Sequence, residues 1–417
     1  MAAARTRLRA AGLERGFWAL LDQSAVSLGT FLTNIVLART LPAAEFGVYA
    51  LIFGVVLFLN SLHSALVTYP LSVSGAATSD EDLRGLAGSS LRLTAMLALP
   101  LGAALLVAAG LVHRFELAPW ALGALLLWQL QETLRRSLMA HLRYREALRG
   151  DVVSYLGQAG LVWLFARSGL LPLEAVFSIM AASSAIAAAM QAMQLGLGAP
   201  PWRGPRGVAS RYWGMGRWLL FSNLINLITI IALPWVLAFF HGVRESAAFY
   251  ALNTPLALAN PVVYSISNLI IPAAARAHRQ RGAGVARRIA ASYAAQGGAL
   301  ILPYYGLLFA FPQETLSVFY GAGSPYLQLA SVLRLLALSY AALYLVQVLG
   351  ALLNGLELSR AVFWTQLANA LVTLGVVLPL AAWGGIAAGL KGGILSALVQ
   401  AIACASFLRR ARTEPAL

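Results

Sequence analysis

What most limits the fold of this chain is a run of apolar stretches, each long enough to cross a bilayer, cut by short breaks rich in Gly, Pro and Arg. A helix rises 1.5 Å per residue, so roughly 20 apolar residues span the hydrocarbon core. Twelve such stretches fall near 17–38, 48–71, 89–112, 118–134, 152–170, 173–195, 218–240, 246–271, 289–311, 327–350, 361–381 and 384–407. Alternation of apolar and polar residues over segments of about ten, the pattern of a transmembrane barrel, is absent. Charged residues make up only 11% of the chain and mean hydropathy is +0.75, where a soluble domain carries about 25% charged residues. The expectation is an all-α integral membrane protein of about twelve transmembrane helices.

The net charge of +15 would suggest nucleic acid as the partner of a soluble protein, but here the placement of the charges excludes that reading. Basic residues concentrate on the cytoplasmic side of membrane proteins. With the N-terminus inside, the inner segments hold 24 of the 30 basic residues, densest at Arg135, Arg136, Arg143, Arg145 and Arg149 and at Arg276, Arg279, Arg281, Arg287 and Arg288. The outer turns keep Arg39, Arg114, Arg167 and Arg244, and only Arg334 and Lys391 fall within spans. Both termini are therefore expected in the cytoplasm, with membrane lipids as the surroundings. The connection Arg135 to Gly150 reads either as a topology signal or as a basic amphipathic helix on anionic headgroups. The first stretch is too long for a signal peptide and is expected to remain as helix one. The single cysteine, Cys404, rules out an intrachain disulfide.

The chain also repeats itself. "GFWALL" at Gly16 and "GRWLLF" at Gly216 share Gly-x-Trp, and Tyr49-Ala50-Leu51 returns as Tyr250-Ala251-Leu252, 201 positions on. Each copy holds six spans, an even number, so the two are parallel about an axis along the membrane normal. The expected domains are 1–200 and 201–417, joined by the Pro-, Gly- and Arg-rich segment Gly198 to Trp213. No Gly-rich phosphate loop, no HExxH and no nucleotide-binding domain occur, so no cofactor, metal or catalytic residue is expected. Energy would come from an ion gradient or from the substrate's own gradient.

One hairpin carries a resemblance. Ala38-Arg39, Leu41-Pro42 and Glu45-Phe46-Gly47-Val48-Tyr49-Ala50-Leu51 resemble the first outer turn of bacterial polysaccharide flippases, the Wzx-type O-antigen-unit transporters of the multidrug/oligosaccharidyl-lipid/polysaccharide (MOP) exporter superfamily. The Gly that precedes the proline in that pattern is missing here. Phe319 to Leu338 is similar to the family's entrance to span ten. The resemblance implies two six-helix lobes around a central cavity, alternating access, and a bacterial inner-membrane location. It also implies a polyprenyl-pyrophosphate-linked oligosaccharide as cargo, with glycosyltransferases and a glycan polymerase as pathway partners.

Such cargo needs cations for pyrophosphate and amides for hydroxyls. Charges in the hydrocarbon core cost roughly 2.5–3.5 kcal/mol each, so those present should face protein or water. Arg334 and Lys391 are candidate pyrophosphate ligands; alternatively, Arg334 caps a helix carbonyl and Lys391, among Gly385, Gly389 and Gly393, reaches the surface. Asp22 and His63, roughly 9–12 Å from the inner ends of their spans, are candidates for ion coupling or for structural hydrogen bonds. Asn34, Asn60, Asn223, Asn226 and Asn253 suit either sugar contact or polar packing. Arg39 and Glu45 are expected to fix the outer hairpin by pairing.

Alternatives remain. A cation-coupled multidrug extruder of the same superfamily would use Asp22, although two buried bases suit cationic cargo poorly. A lipid II flippase would extend over fourteen spans. An oligosaccharide ligase or polymerase would carry large outer loops with acid/base pairs, whereas the outer turns here run about 5–15 residues, so a non-enzyme is expected.

Overall fold

The computed structural model describes residues 2–76, 78–169, 171–197 and 207–410, with side chains throughout except at 2–13, 15–16, 222, 226–230 and 359. Every one of the twelve apolar stretches is helical where described, and no strand occurs among the described residues. In lipid each backbone amide must find its partner within the protein, which leaves helices as the way an apolar run crosses. The protein is an all-helical, multi-pass membrane protein. It divides into two compact units, Met1–Leu224 and Ile225–Leu417. Of the segment expected as the linker, Gly198 to Trp213, residues 198–206 lie outside the described residues, and from Val208 the chain is already helical.

The first unit runs through α1 (Ala2–Thr40), α2 (Ala43–His63), α3 (Tyr69–Gly75), α4 (Asp80–Leu111), α5 (Ala118–Ala140), α6 (Tyr144–Asp151), α7 (Gln158–Arg167), α8 (Leu173–Leu195) and most of α9 (Val208–Ile230). Two π-helical segments, Ser64–Thr68 and Val152–Gly157, join α2 to α3 and α6 to α7 without breaking either rod. Ser79 caps α4 by accepting the Asp82 N–H, and Asp80, Glu81 and Asp82 place negative charge at the positive end of its dipole. Leu83, Leu134, Leu138, Ala147 and Leu195 close the core where α4, α5, α6 and α8 meet.

The second unit contains α10 (Ala232–His241), α11 (Val243–Ala257), α12 (Asn260–Arg281), α13 (Ala283–Ala310), α14 (Pro312–Tyr320), α15 (Ala330–Gly355), α16 (Ser359–Val372) and α17 (Leu378–Arg410). Among the described residues, six helical runs are long and apolar enough to cross a membrane, or eight when the bent pairs α11–α12 (57°) and α13–α14 (93°) count as one span each. The 51-residue run Arg360–Arg410 holds both of the last two expected spans, turned at Gly384 and Gly385. Gly385 sits at φ +65°, where a side chain would be strained. Gly389 also packs closely, on Ala381, but a side chain at Gly393 would meet open space, so the expected stripe of three close-packed glycines is reduced to two.

Pro255 explains one tyrosine. It has no N–H for the Ala251 carbonyl one turn earlier, and the Tyr320 hydroxyl donates to that oxygen at 2.6 Å. Tyr304 likewise donates to the Pro255 carbonyl at 2.7 Å, where α11 bends into α12.

Candidate functional site

The first unit holds a cavity of about 170 Å³ between α1, α2, α5, α7 and α8. Tyr49, Phe53 and Trp128 form one wall as a near-parallel stack, with centroids 5.4 and 6.3 Å apart and interplanar angles of 9° and 16°. Opposite them stand Thr30, Thr33, Asn34, Gln158 and Ser184. Tyr155 enters from the π-helical segment, where the Trp128 indole N–H donates to its hydroxyl at 3.0 Å. That segment meets α1 at Gly29, where a Cβ would lie 2.5 Å from the Tyr155 carbonyl carbon. A glycine is required at that crossing. Among the described residues, no carboxylate or basic side chain lines the cavity.

Next to the cavity lies a buried charge cluster. Ser154, a lining residue, donates to Gln131 at 2.7 Å, and Gln131 points at Asp151. Arg135 uses every face of its guanidinium: Nη2 donates to Asp22 at 2.7 Å, Nε to Asp151, and Nη1 to Glu132 at 3.2 Å. Arg136 adds a second bond to Glu132 at 2.6 Å. Gln191 of α8 reaches the same Asp151, and Gly150 gives it room, since a Cβ there would lie 2.4 Å from its amide nitrogen. Three carboxylates thus share two guanidiniums.

Arg135 opens the segment expected as an inner connection, either a topology signal or a basic amphipathic helix. It is instead 5% exposed and lies on α5, which continues to Ala140. A short amphipathic helix of no net charge, α6, begins later, at Tyr144. The reason is energetic: a buried guanidinium needs full pairing, and Asp22, Glu132 and Asp151 supply it. Gln129, Gln131, Glu132, Thr133 and Arg135 crowd the end of an otherwise apolar run, and that crowding is the sequence signal for the cluster.

The remaining candidates separate. Asp22 belongs to the cluster rather than pairing with Gln23, which bonds Ser27. His63 is fully buried, 2.8 Å from the Thr94 hydroxyl, which in turn lies 3.1 Å from Thr133. Asn34 lines the cavity and spends its amide on the Thr30 carbonyl. Asn60 is half-buried, its oxygen without a partner. Asn223 donates to the Ser61 carbonyl at 2.9 Å, beside Gly216, whose close approach brings α9 onto Ala65. Asn253 donates to Phe249 and accepts from Tyr340. The side chain of Asn226 lies outside the described residues.

Arg334 is exposed, its Nε donating to the Phe309 carbonyl at 3.1 Å, and Lys391 is exposed on α17. Arg39 is exposed at the end of α1. Glu45 is held by Arg114 of the second outer turn at 2.7 Å. Arg114 also holds the exposed Glu116 carboxyl below its usual range by a direct hydrogen bond. Glu245, 200 positions after Glu45, accepts the Ile386 N–H at the α17 kink.

No protein-family model matches the sequence, and no curated protein matches it. Solved structures do. An inward-facing multidrug resistance MATE family transporter of the MOP superfamily superposes with a TM-score of 0.76 at 15% identity, over 95% of this chain and 100% of that one. The fold is that of the MOP-superfamily MATE transporters. The same fold in an outward-facing multidrug resistance MATE transporter gives a TM-score of 0.61 at 14% identity, over 95% of each chain. A MOP superfamily transporter from Pyrococcus furiosus, described as having a binding pocket of reverse polarity that suggests a different function, gives 0.63 at 14% identity, again over 95% of each chain. These MATE-fold neighbours are transporters, solved in both inward- and outward-facing forms.

Proposed function

We propose that this protein flips a polyprenyl-pyrophosphate-linked oligosaccharide from the inner to the outer leaflet of a bacterial inner membrane, by alternating access, for surface polysaccharide synthesis. The observation that carries this reading is the pairing of Asp22 with Arg135. A cationic drug needs an acid to bind to, and Asp22, the acid of the first span, is already tied to a guanidinium. The cavity beside it offers amides, hydroxyls and aromatic rings instead. The resemblance of the first outer hairpin points to the same cargo, with pathway glycosyltransferases and a polymerase as partners. In this scheme Arg334 and Lys391 meet the pyrophosphate, Asn34 meets a sugar hydroxyl, and Asp22 and His63 answer to any coupling proton.

A cation-coupled extruder is the second reading. It is favoured by the multidrug MATE neighbours and by the charge count of the cluster, in which three carboxylates face two guanidiniums and leave room for one proton. Deletion of the gene separates the two. Loss of a surface glycan, with its lipid-linked unit held in the inner leaflet, is the expected outcome. Unchanged glycan with altered dye or drug resistance selects the extruder.

A further inference from the structure

We propose that the cavity of the first unit is a subsite for one neutral saccharide ring of the cargo, rather than for its pyrophosphate or for a cation. The proposal rests on the flippase reading and adds to it where, and in what chemical form, the glycan is held.

Size limits the occupant first. About 170 Å³ falls below the ~300–1,000 Å³ of pockets that enclose drug-sized ligands. One six-membered ring and its substituents fit that scale.

The aromatic wall decides against a cation. A cation binds to the negative face of a ring, whereas the rim is the positive end of the quadrupole. Phe53 is stacked between Tyr49 and Trp128, and Tyr49 is covered on one side by Phe53 and packed against Phe177 at 5.8 Å. Tyr49 and Phe53 thus share part of their faces with other rings. Exposed rims suit oxygen lone pairs, which a sugar supplies and an ammonium group does not. The carboxylates of the neighbouring cluster are bound to Arg135, and among the described residues no guanidinium or ammonium lines the cavity to receive a phosphate.

Polar groups without protein partners complete the site. Thr33, one of the lining residues, is 2% exposed, and its buried hydroxyl has no hydrogen-bond partner. Leaving a buried hydroxyl unpaired is costly unless a ligand uses it. Tyr155 accepts from Trp128 and keeps its own proton to donate. Asn34 has spent its amide on Thr30 and keeps its oxygen to accept. Donors and acceptors spaced around a small aromatic slot are what a ring bearing hydroxyls on several carbons requires.

The decisive variant is Thr33→Val, which is nearly isosteric and removes an unpaired hydroxyl, so thermal stability should hold or rise. Binding of glucose, N-acetylglucosamine, glucuronate and tetraphenylphosphonium to purified full-length protein in nanodiscs would be followed by saturation-transfer NMR and by tryptophan fluorescence. The expected result is saturable binding of a neutral sugar, weakened about tenfold, or about 1.4 kcal/mol, by Thr33→Val and by Gln158→Leu. Glucuronate and tetraphenylphosphonium should show no binding that responds to these variants. Sugar binding unaffected by both variants, or absent in the wild type, overturns the subsite while leaving glycan export in the deletion strain as a separate question. Tetraphenylphosphonium binding that Thr33→Val weakens overturns the subsite and the flippase reading together.

Discussion

The Arg135 Nη2 lies 2.7 Å from Asp22 Oδ2, joining α5 to α1 across 113 residues of chain at a point where both side chains are almost fully buried. The same guanidinium grips Asp151 at the end of α6. Three helices therefore meet on one planar cation. This pairing sets the charge of the first unit's interior and so bears on every functional reading of it.

Arg135→Gln should leave Asp22 and Asp151 facing each other without a counter-charge. Breaking a buried pair costs about 3–5 kcal/mol. The loss should appear as low membrane abundance and a reduced Tm in detergent. Adding Asp22→Asn to Arg135→Gln should recover part of it, because one orphaned charge disappears. An additive double variant would mean that the two groups do not interact.

Gly29→Ala should push α1 off the π-helical segment, since its Cβ would overlap the Tyr155 backbone. Overpacking of this kind costs about 1–3 kcal/mol. Thermal unfolding reads the cost. Because Tyr155 moves with the segment, Trp128 fluorescence should also change; an unaltered spectrum with normal Tm would show that the crossing yields easily.

Tyr320→Phe should cost about 1–3 kcal/mol by stranding the Ala251 carbonyl that Pro255 cannot serve. In a Pro255→Ala background the restored N–H can reach that oxygen, and the same tyrosine change should cost much less. A double-mutant cycle measures the difference. Equal costs in both backgrounds would remove the capping role.

Arg334→Gln and Lys391→Gln should each lower glycan restoration in a deletion strain more than tenfold at normal protein level, a loss of at least about 1.4 kcal/mol, if each lends a charge to the pyrophosphate. Arg334→Lys should retain part of the activity. Full restoration by the double Gln variant would leave Arg334 with only its bond to the Phe309 carbonyl.

Reporter fusions after residues 80, 142, 205, 280 and 357 should report cytoplasm, and those near 42, 115, 243 and 322 the outside. An outside signal at 142 or 280, the segments densest in arginine, would break the twelve-span topology.

The helices were legible in the sequence because burial in lipid is a one-dimensional constraint. A run of apolar residues has few options, and Gly, Pro and Arg mark where it must stop; the turn at Gly384–Gly385 falls at the very start of the last expected span for that reason. Pairing of charges was not legible, because it depends on three-dimensional neighbours. Arg135 follows the apolar run and reads as part of an inner connection until Asp22 and Asp151 are seen beside it. Glu45 is reached by Arg114, 69 residues further on and brought in by the turn after α4. Asn223 suits sugar contact and polar packing equally by sequence, and only the tertiary structure shows its amide spent on the Ser61 carbonyl. The cavity was equally hidden, for its aromatic wall joins α2 to α5 and its unpaired hydroxyl comes from α1. Hydropathy is a property of each segment and survives in the sequence alone, whereas a counter-ion or a hydrogen-bond partner belongs to whichever helix packing brings alongside.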